Sequence, residues 1–194
     1  KLQYRKFDTK FMHYFQGEKF VKNDLPISTV TSDRIVFGVD GMSEAVAAQE
    51  SKIDPWQRWN DFGIGLFRKG ETGSSKGELR QAEAAFAEVE KLGRADGPLN
   101  RARVYVKEGR LEDAVGALKK AAAADPPGPP WSIAWFTGLV NKQNGNLDEA
   151  IANFRSIIAM KDTQTCMDRQ FDFSKDYTLL DELGQTLFER AKQE

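Results

Sequence analysis

Histidine and cysteine occur once each in the 194 residues, as His13 and Cys166. A single cysteine excludes an internal disulfide and any C-x-x-C metal or redox site. One residue of each kind cannot supply the four ligands of a closed zinc site. No C-x-x-C-H run is present to attach and ligate a c-type haem. His13 lies in an aromatic stretch without a partner motif for nucleophilic catalysis, and Cys166 lies in a polar stretch with no histidine nearby. His13 reads as a structural side chain and Cys166 as a bystander thiol. Neither a G-x-x-x-x-G-K-S/T nor a G-x-G-x-x-G loop occurs, so no nucleotide signature is present. No apolar run approaches the roughly 18 residues of a membrane helix, and the net charge of −1 gives no overall polybasic signal for nucleic acid. These absences predict a chain without catalytic activity and without a metal or cofactor of its own.

The chain does contain the same turn twice. Residues 109–114, GRLEDA, and 145–150, GNLDEA, share a glycine, a leucine, two acidic residues and an alanine in fixed order. Downstream of Ala114 come Leu118 and Ala121, and downstream of Ala150 come Phe154 and Ile157 at the same steps. A third copy, KGELRQA, supplies Gly77, Leu79 and Ala82, then Phe86 and Val89. The three alanines are 32 and 36 residues apart. Spacing of i, i+4, i+7 marks one face of a helix, and a glycine ahead of it suits the left-handed end of a preceding helix. Twelve residues before Ala114 and Ala150 stand Ala102 and Gly138, each small enough for two helices to approach closely. The recurring unit is therefore a helical hairpin. The acid pairs Glu112/Asp113 and Asp148/Glu149 are explained by the helix dipole at a helix start rather than by acid–base chemistry.

Ala102, Ala114, Leu118, Ala121 and Pro126 resemble the signature of the tetratricopeptide repeat family, and Gly138, Ala150, Phe154 and Ile157 repeat it without the proline. Trp59, Phe62 and Gly63 fit the opening of a first repeat, and Leu180, Leu183, Gly184 and Leu187 the opening of a fourth. The resemblance covers residues 54–194. It implies a mainly α fold, a right-handed superhelix of antiparallel helix pairs with about three repeats and a final capping or truncated helix. In that last helix, Leu180, Leu183, Leu187 and Ala191 form the expected packing stripe, and Asp181, Glu182, Gln185, Glu189 and Lys192 the polar face. Two departures stand out. ETGSSKG adds seven residues between the first two helices, and residues 160–176 form a long inter-repeat loop of the kind that can carry a partner site. DPPGPP before Trp131 cannot be helical and sets the angle between repeats.

Residues 1–45 read as a small mixed α/β module, joined by a linker over 46–53. Asp8 starts a short helix with Phe11, Met12 and Phe15 on one face, and LPISTVTSDRIVFGVDG suggests a hairpin broken at TSDR. Residues 1–22 carry six Lys/Arg against Asp8 and Glu18, read as a solvated surface. The module should pack on the first repeat, because a lone hairpin is marginally stable.

In this family the inner face of each repeat's first helix lines a concave groove for peptides or partner helices. Steps of 100° per residue place there Asn60, Ile64, Phe67 and Arg68 from the first repeat. They add Leu99, Arg103, Val106 and Lys107 from the second, and Trp135, Leu139, Lys142 and Gln143 from the third. The lining is apolar with a basic rim. Ile64 and Leu139 stand where a carboxylate clamp needs polar residues. The expected role is a non-enzymatic scaffold for a protein or peptide that is acidic and carries an apolar anchor at Trp135. KFVKNDLPI, VFGV, WQRWNDFGIGL and GPLNRARVYVKEGRLEDAV also resemble a bacterial subgroup that joins such repeats to multihaem c-type cytochrome regions. That resemblance implies a periplasmic accessory domain positioning a redox partner, with the haems outside this chain.

Overall fold

The computed structural model describes residues 1–32, 51–72 and 77–193. They fall into two compact units, Lys1–Ser51 and Lys52–Glu194.

In the first unit β1 (Leu2–Tyr4) pairs antiparallel with β2 (Ser28–Thr31). Between them runs α1 (Thr9–Gln16), capped by Asp8, whose side chain accepts the Phe11 N–H at 2.6 Å. Phe7, Phe11 and Phe15 stack along it with centroids 4.7 and 6.3 Å apart, while Met12 is half-buried. His13 sets its ring against the edge of Phe20 at 5.2 Å. Asn23 ties the return of the chain by donating to the Phe7 carbonyl at 3.0 Å. The strand partner of Ser28–Thr31 is therefore the chain start, a pairing that no turn signal announces. The second arm of the hairpin expected beyond TSDR lies outside the described residues.

The second unit is a series of helix pairs: α2 (Pro55–Thr72) with α3 (Gly77–Lys91), α4 (Asp96–Glu108) with α5 (Leu111–Ala123), α6 (Pro130–Gln143) with α7 (Leu147–Ala159). A short α8 (Gln164–Asp168) follows, then α9 (Tyr177–Ala191) packed on α7. Among the described residues no helix is long and apolar enough to cross a membrane.

Pairing follows from the small residues. Ala82, Ala102, Ala114 and Ala150 have no exposed surface. A Cβ added to Gly63 would come within 2.5 Å of the Phe86 ring, and one on Gly138 within 2.6 Å of Phe154. Glycine is thus required where an aromatic from the second helix of the hairpin lies on the first. Ala114→Leu would overpack the α4–α5 contact and should cost about 1–3 kcal/mol. A thermal melt unchanged from the parent chain would break the repeat alignment.

The repeated hexamer closes one helix and opens the next. Gly109 (φ 74°) and Gly145 (φ 80°) adopt the left-handed conformation. The following amides, of Arg110 and Asn146, donate back to the Tyr105 and Asn141 carbonyls at 2.8 Å each. Gly77 does not share this role: it is the first residue of α3, without positive φ. The left-handed glycine of that repeat is Gly93 instead, between α3 and α4. Helix α2 runs on through Glu71 and Thr72 and α3 begins at Gly77, so three of the seven residues expected between the two helices are helical, and the other four, 73–76, lie outside the described residues.

The last helix is rotated from its expected setting. Leu179 and Thr186 are buried and Leu183 is half-buried, with Leu179 and Leu183 packed in the cluster of Ala150, Phe154 and Ile157. Leu180, Leu187 and Ala191 face outward. Among the described residues, α9 meets α7 with the stripe of Leu179, Leu183 and Thr186. Glu182, expected on the polar face, is half-buried and accepts from Lys142 at 2.8 Å.

Candidate functional site

The first helices α2, α4 and α6 pack side by side. Their inner side chains line two adjoining cavities of about 600 and 640 Å³. Asn60, Ile64, Leu99 and Trp131 line the first. Phe67, Val106, Lys107, Leu139 and Gln143 line the second. Arg103, Trp135 and Phe136 belong to both and form the partition.

Arg103 carries the site's unusual electrostatics. Its guanidinium lies 4.9 Å from the Phe67 ring and 6.0 Å from that of Phe136, and donates to Asn100 Oδ1 at 3.1 Å. Asn100, itself buried, donates on to Asn60 Oδ1 at 2.8 Å. Burial pushes the Arg103 pKa down from its ordinary value and the Arg68 charge adds to this, with Glu71 acting against them. Among the described residues no carboxylate forms an ion pair with Arg103. A guanidinium has five donors and stays charged in proteins, so a desolvated cation with spare donors faces the groove.

The remaining expected residues divide. Trp135 is half-buried, its ring against Phe154 at 5.6 Å, so it is held by packing as well as lining the groove. Phe67 and Leu99 are mostly core, at 5% and 8% exposure. Arg68 is exposed and lines neither cavity. Lys142 is not a free rim cation: it donates to Glu182 at 2.8 Å and to Gln185 at 3.1 Å on α9. Lys107 does stay exposed, 3.9 Å from Glu71. The basic rim is therefore smaller than the pattern of 100° steps implied, because neighbouring helices supply the counter-charges.

Sequence reasoning missed Asn100, Phe136, Trp131 and Phe173. Asn100 and Phe136 sit next to the expected positions on their helices, where the idealised angle assigns them elsewhere. Trp131 and Phe173 meet through the stretch expected to be a loop. That stretch is ordered by a helical turn at Met160–Asp162, by α8 with Cys166 fully buried, and by a turn at Phe173–Lys175. Phe173 approaches Trp131 at 5.9 Å and closes one end of the first cavity. The alternation of Phe171 and Phe173 was the available signal.

A stack of helical hairpins with a lined inner face is the architecture of a helical-repeat protein. Residues 74–129 and 99–164 match the family model described as tetratricopeptide repeat, which supports tetratricopeptide repeats over that span. Such repeats generally mediate protein–protein interaction. No curated protein matches the chain.

Proposed function

We propose that the inner groove binds one segment of a partner protein, seating an apolar side chain beside Trp135 and a carboxylate against Arg103. The observation that carries this reading is the desolvated Arg103 guanidinium, stacked on aromatic rings and unpaired by any described carboxylate. A carboxylate there would take up a two-point contact in a low-dielectric setting, the strong form of charge-assisted hydrogen bond. Trp135 and Phe136 offer rigid aromatic surface, the type of side chain that commonly dominates interface energy. The chain on this reading is a scaffold, with no chemistry of its own. The alternative read from sequence, a domain docking a multihaem redox region, draws no support of its own from the groove.

A displayed random-peptide library selected on the chain supplies the probe. The selected peptide should carry an aromatic or aliphatic residue near an Asp or Glu. Changing that acid to its amide and Arg103 to Gln should show a coupling of about 2 kcal/mol, roughly 30-fold in Kd. Because Arg103 is half-buried, the coupling should survive physiological salt, whereas the contribution of exposed Lys107 should fade as screening shortens to about 8 Å. Additive losses in the cycle, or selection of peptides without acid, would remove the carboxylate from the reading.

A further inference from the structure

The two joints between consecutive hairpins are built differently. At the first, polar side chains tie α2 and α3 to α4 and α5. Glu83 of α3 accepts from the Tyr105 hydroxyl at 2.7 Å and from Arg110 at 2.8 Å. Glu90 of α3 accepts from Arg101 of α4 and, at 2.7 Å, from Lys120 of α5. Between the first helices, Asn100 donates to Asn60 at 2.8 Å. Each of these bonds fixes a distance and an angle. At the second joint, between α4–α5 and α6–α7, no side-chain hydrogen bond or ion pair crosses among the described residues. What crosses is apolar: Ile133, Phe136 and Val140 of α6 pack with the cluster of Ala117 and Leu118, and the Arg103 guanidinium lies 6.0 Å from the Phe136 ring. The packing is also incomplete. A crevice of about 250 Å³ runs between α5 and α6, lined by Val115, Lys119, Ala122 and Thr137 among others, and shares no residue with the groove.

We infer that the second joint is a hinge, about which α2–α5 and α6–α9 tilt as two stiff bodies and so set the width of the groove. The first body is held by the Glu83 and Glu90 bonds. The second is held by Lys142 donating to Glu182 at 2.8 Å, by Arg190 donating to Asp148 at 2.9 Å, and by the packing of Leu179 with Phe154 and Ile157. Apolar contact between the bodies is non-directional, so they can tilt over a small angle without breaking a directed bond. The connecting chain locates the pivot. The Gly128 amide donates to the Ala121 carbonyl of α5 at 2.9 Å, whereas the Pro129 carbonyl accepts from the Ser132 and Ile133 amides of α6. One side of the Gly128–Pro129 link is thus anchored to each body, and a few residues at the end of an element suffice to absorb a domain rotation. Arg103 rides on the first body, and Trp135 and Phe136 ride on the second. The partition between the two cavities is therefore split across the hinge. An occupant touching Arg103 and Trp135 together holds the joint closed, and one touching a single body leaves it free. The hinge itself stands whatever occupies the groove.

Spin labels read the joints separately by pulsed dipolar resonance on the ligand-free chain. Gln81, Glu112, Arg155 and Glu189 are exposed, and none takes part in the bonds above. Each is changed to Cys in pairs, in a Cys166→Ala background that leaves no other thiol. The Gln81/Glu112 pair spans the first joint, Glu112/Arg155 the second, and Arg155/Glu189 lies within the second body. The Glu112/Arg155 distance distribution should be at least about twice as wide as the other two. Ala122→Leu, which fills the crevice without touching the groove, should narrow it toward the others. Glu83→Ala with Glu90→Ala should instead broaden the Gln81/Glu112 distribution and leave Arg155/Glu189 narrow. Far-UV circular dichroism confirms that each variant folds. Equal widths for the three pairs in the parent overturn the inference, as does a Gln81/Glu112 pair as wide as Glu112/Arg155. So does a Glu112/Arg155 width indifferent to Ala122→Leu, for the motion would then not lie between α5 and α6.

Discussion

Phe154→Ala should destabilise the repeat unit by about 4 kcal/mol, the range of a fully buried aromatic truncated to alanine. Phe154 has no exposed surface and fills the space over Gly138. It also supports Trp135 from behind, ring centroid to ring centroid 5.6 Å. Its removal therefore leaves a cavity between α6 and α7 and frees the tryptophan that partitions the groove. For a chain of this size the melting temperature should fall by roughly 8–16 °C, and the tryptophan emission should shift to longer wavelength. The contrasting variant is Tyr177→Ala. That side chain is 83% exposed, and its loss should stay within about 0.5 kcal/mol. Equal effects from the two would mean that α6 and α7 do not pack through this ring.

A second pair of variants makes one chemical change at two glycines with opposite expected signs. Gly97 is buried in the first turn of α4. A Cβ there would run into the Glu90 backbone nitrogen, with the Glu90 Cα at 2.7 Å and the Phe86 carbonyl oxygen at 2.8 Å. These are backbone atoms of α3 and cannot rotate away, so relief requires the two helices to separate. Gly97→Ala should cost about 3 kcal/mol, seen as a fall of roughly 6–12 °C in the melt. Gly116, by contrast, lies exposed in the middle of α5 with nothing within 4 Å of its added Cβ. Gly116→Ala should gain about 1 kcal/mol, because alanine loses less conformational freedom in a helix. Two variants of the same sign would contradict the α3–α4 contact. That contact joins consecutive repeats, so its loss should also disturb the alignment of α2 with α4, and with it the bond between Asn60 and Asn100.

The repeat was legible because a hairpin is a local object. Gly109 and Gly145 need a left-handed backbone, Ala114 and Ala150 need contact without bulk, and Leu118 and Phe154 need a core one turn on. These requirements act within a few dozen residues, so they leave a period. The aromatic partner of each glycine, Phe86 for Gly63 and Phe154 for Gly138, likewise lies within one hairpin.

The groove was legible only in part. Helical angle places Ile64, Leu99, Arg103, Val106 and Trp135 on the inner side, and all five line the cavities. The angle does not say how far a neighbour covers a side chain. Arg103 became desolvated because Phe67 and Phe136 flank it, residues 36 and 33 positions away. Lys142 found its ion-pair partner in Glu182, forty residues on. Periodicity encodes direction, whereas ion pairing and exposure are set by the second helix that arrives.

From residues alone came the fold class, the hairpin unit, the small residues at its crossing points and the absence of a nucleotide, disulfide or C-x-x-C-H motif. Tertiary structure alone decided that β2 pairs with the chain start, that residues 160–176 fold over Trp131, and that α9 buries Leu179 and Thr186 instead of Leu180 and Leu187. The division has one physical cause. Backbone conformation and the width of a helix contact depend on residues near in sequence. Which of two apolar stripes is buried depends on where the neighbouring helix lies, and among the described residues α9 packs on α7 through Leu179 and Leu183.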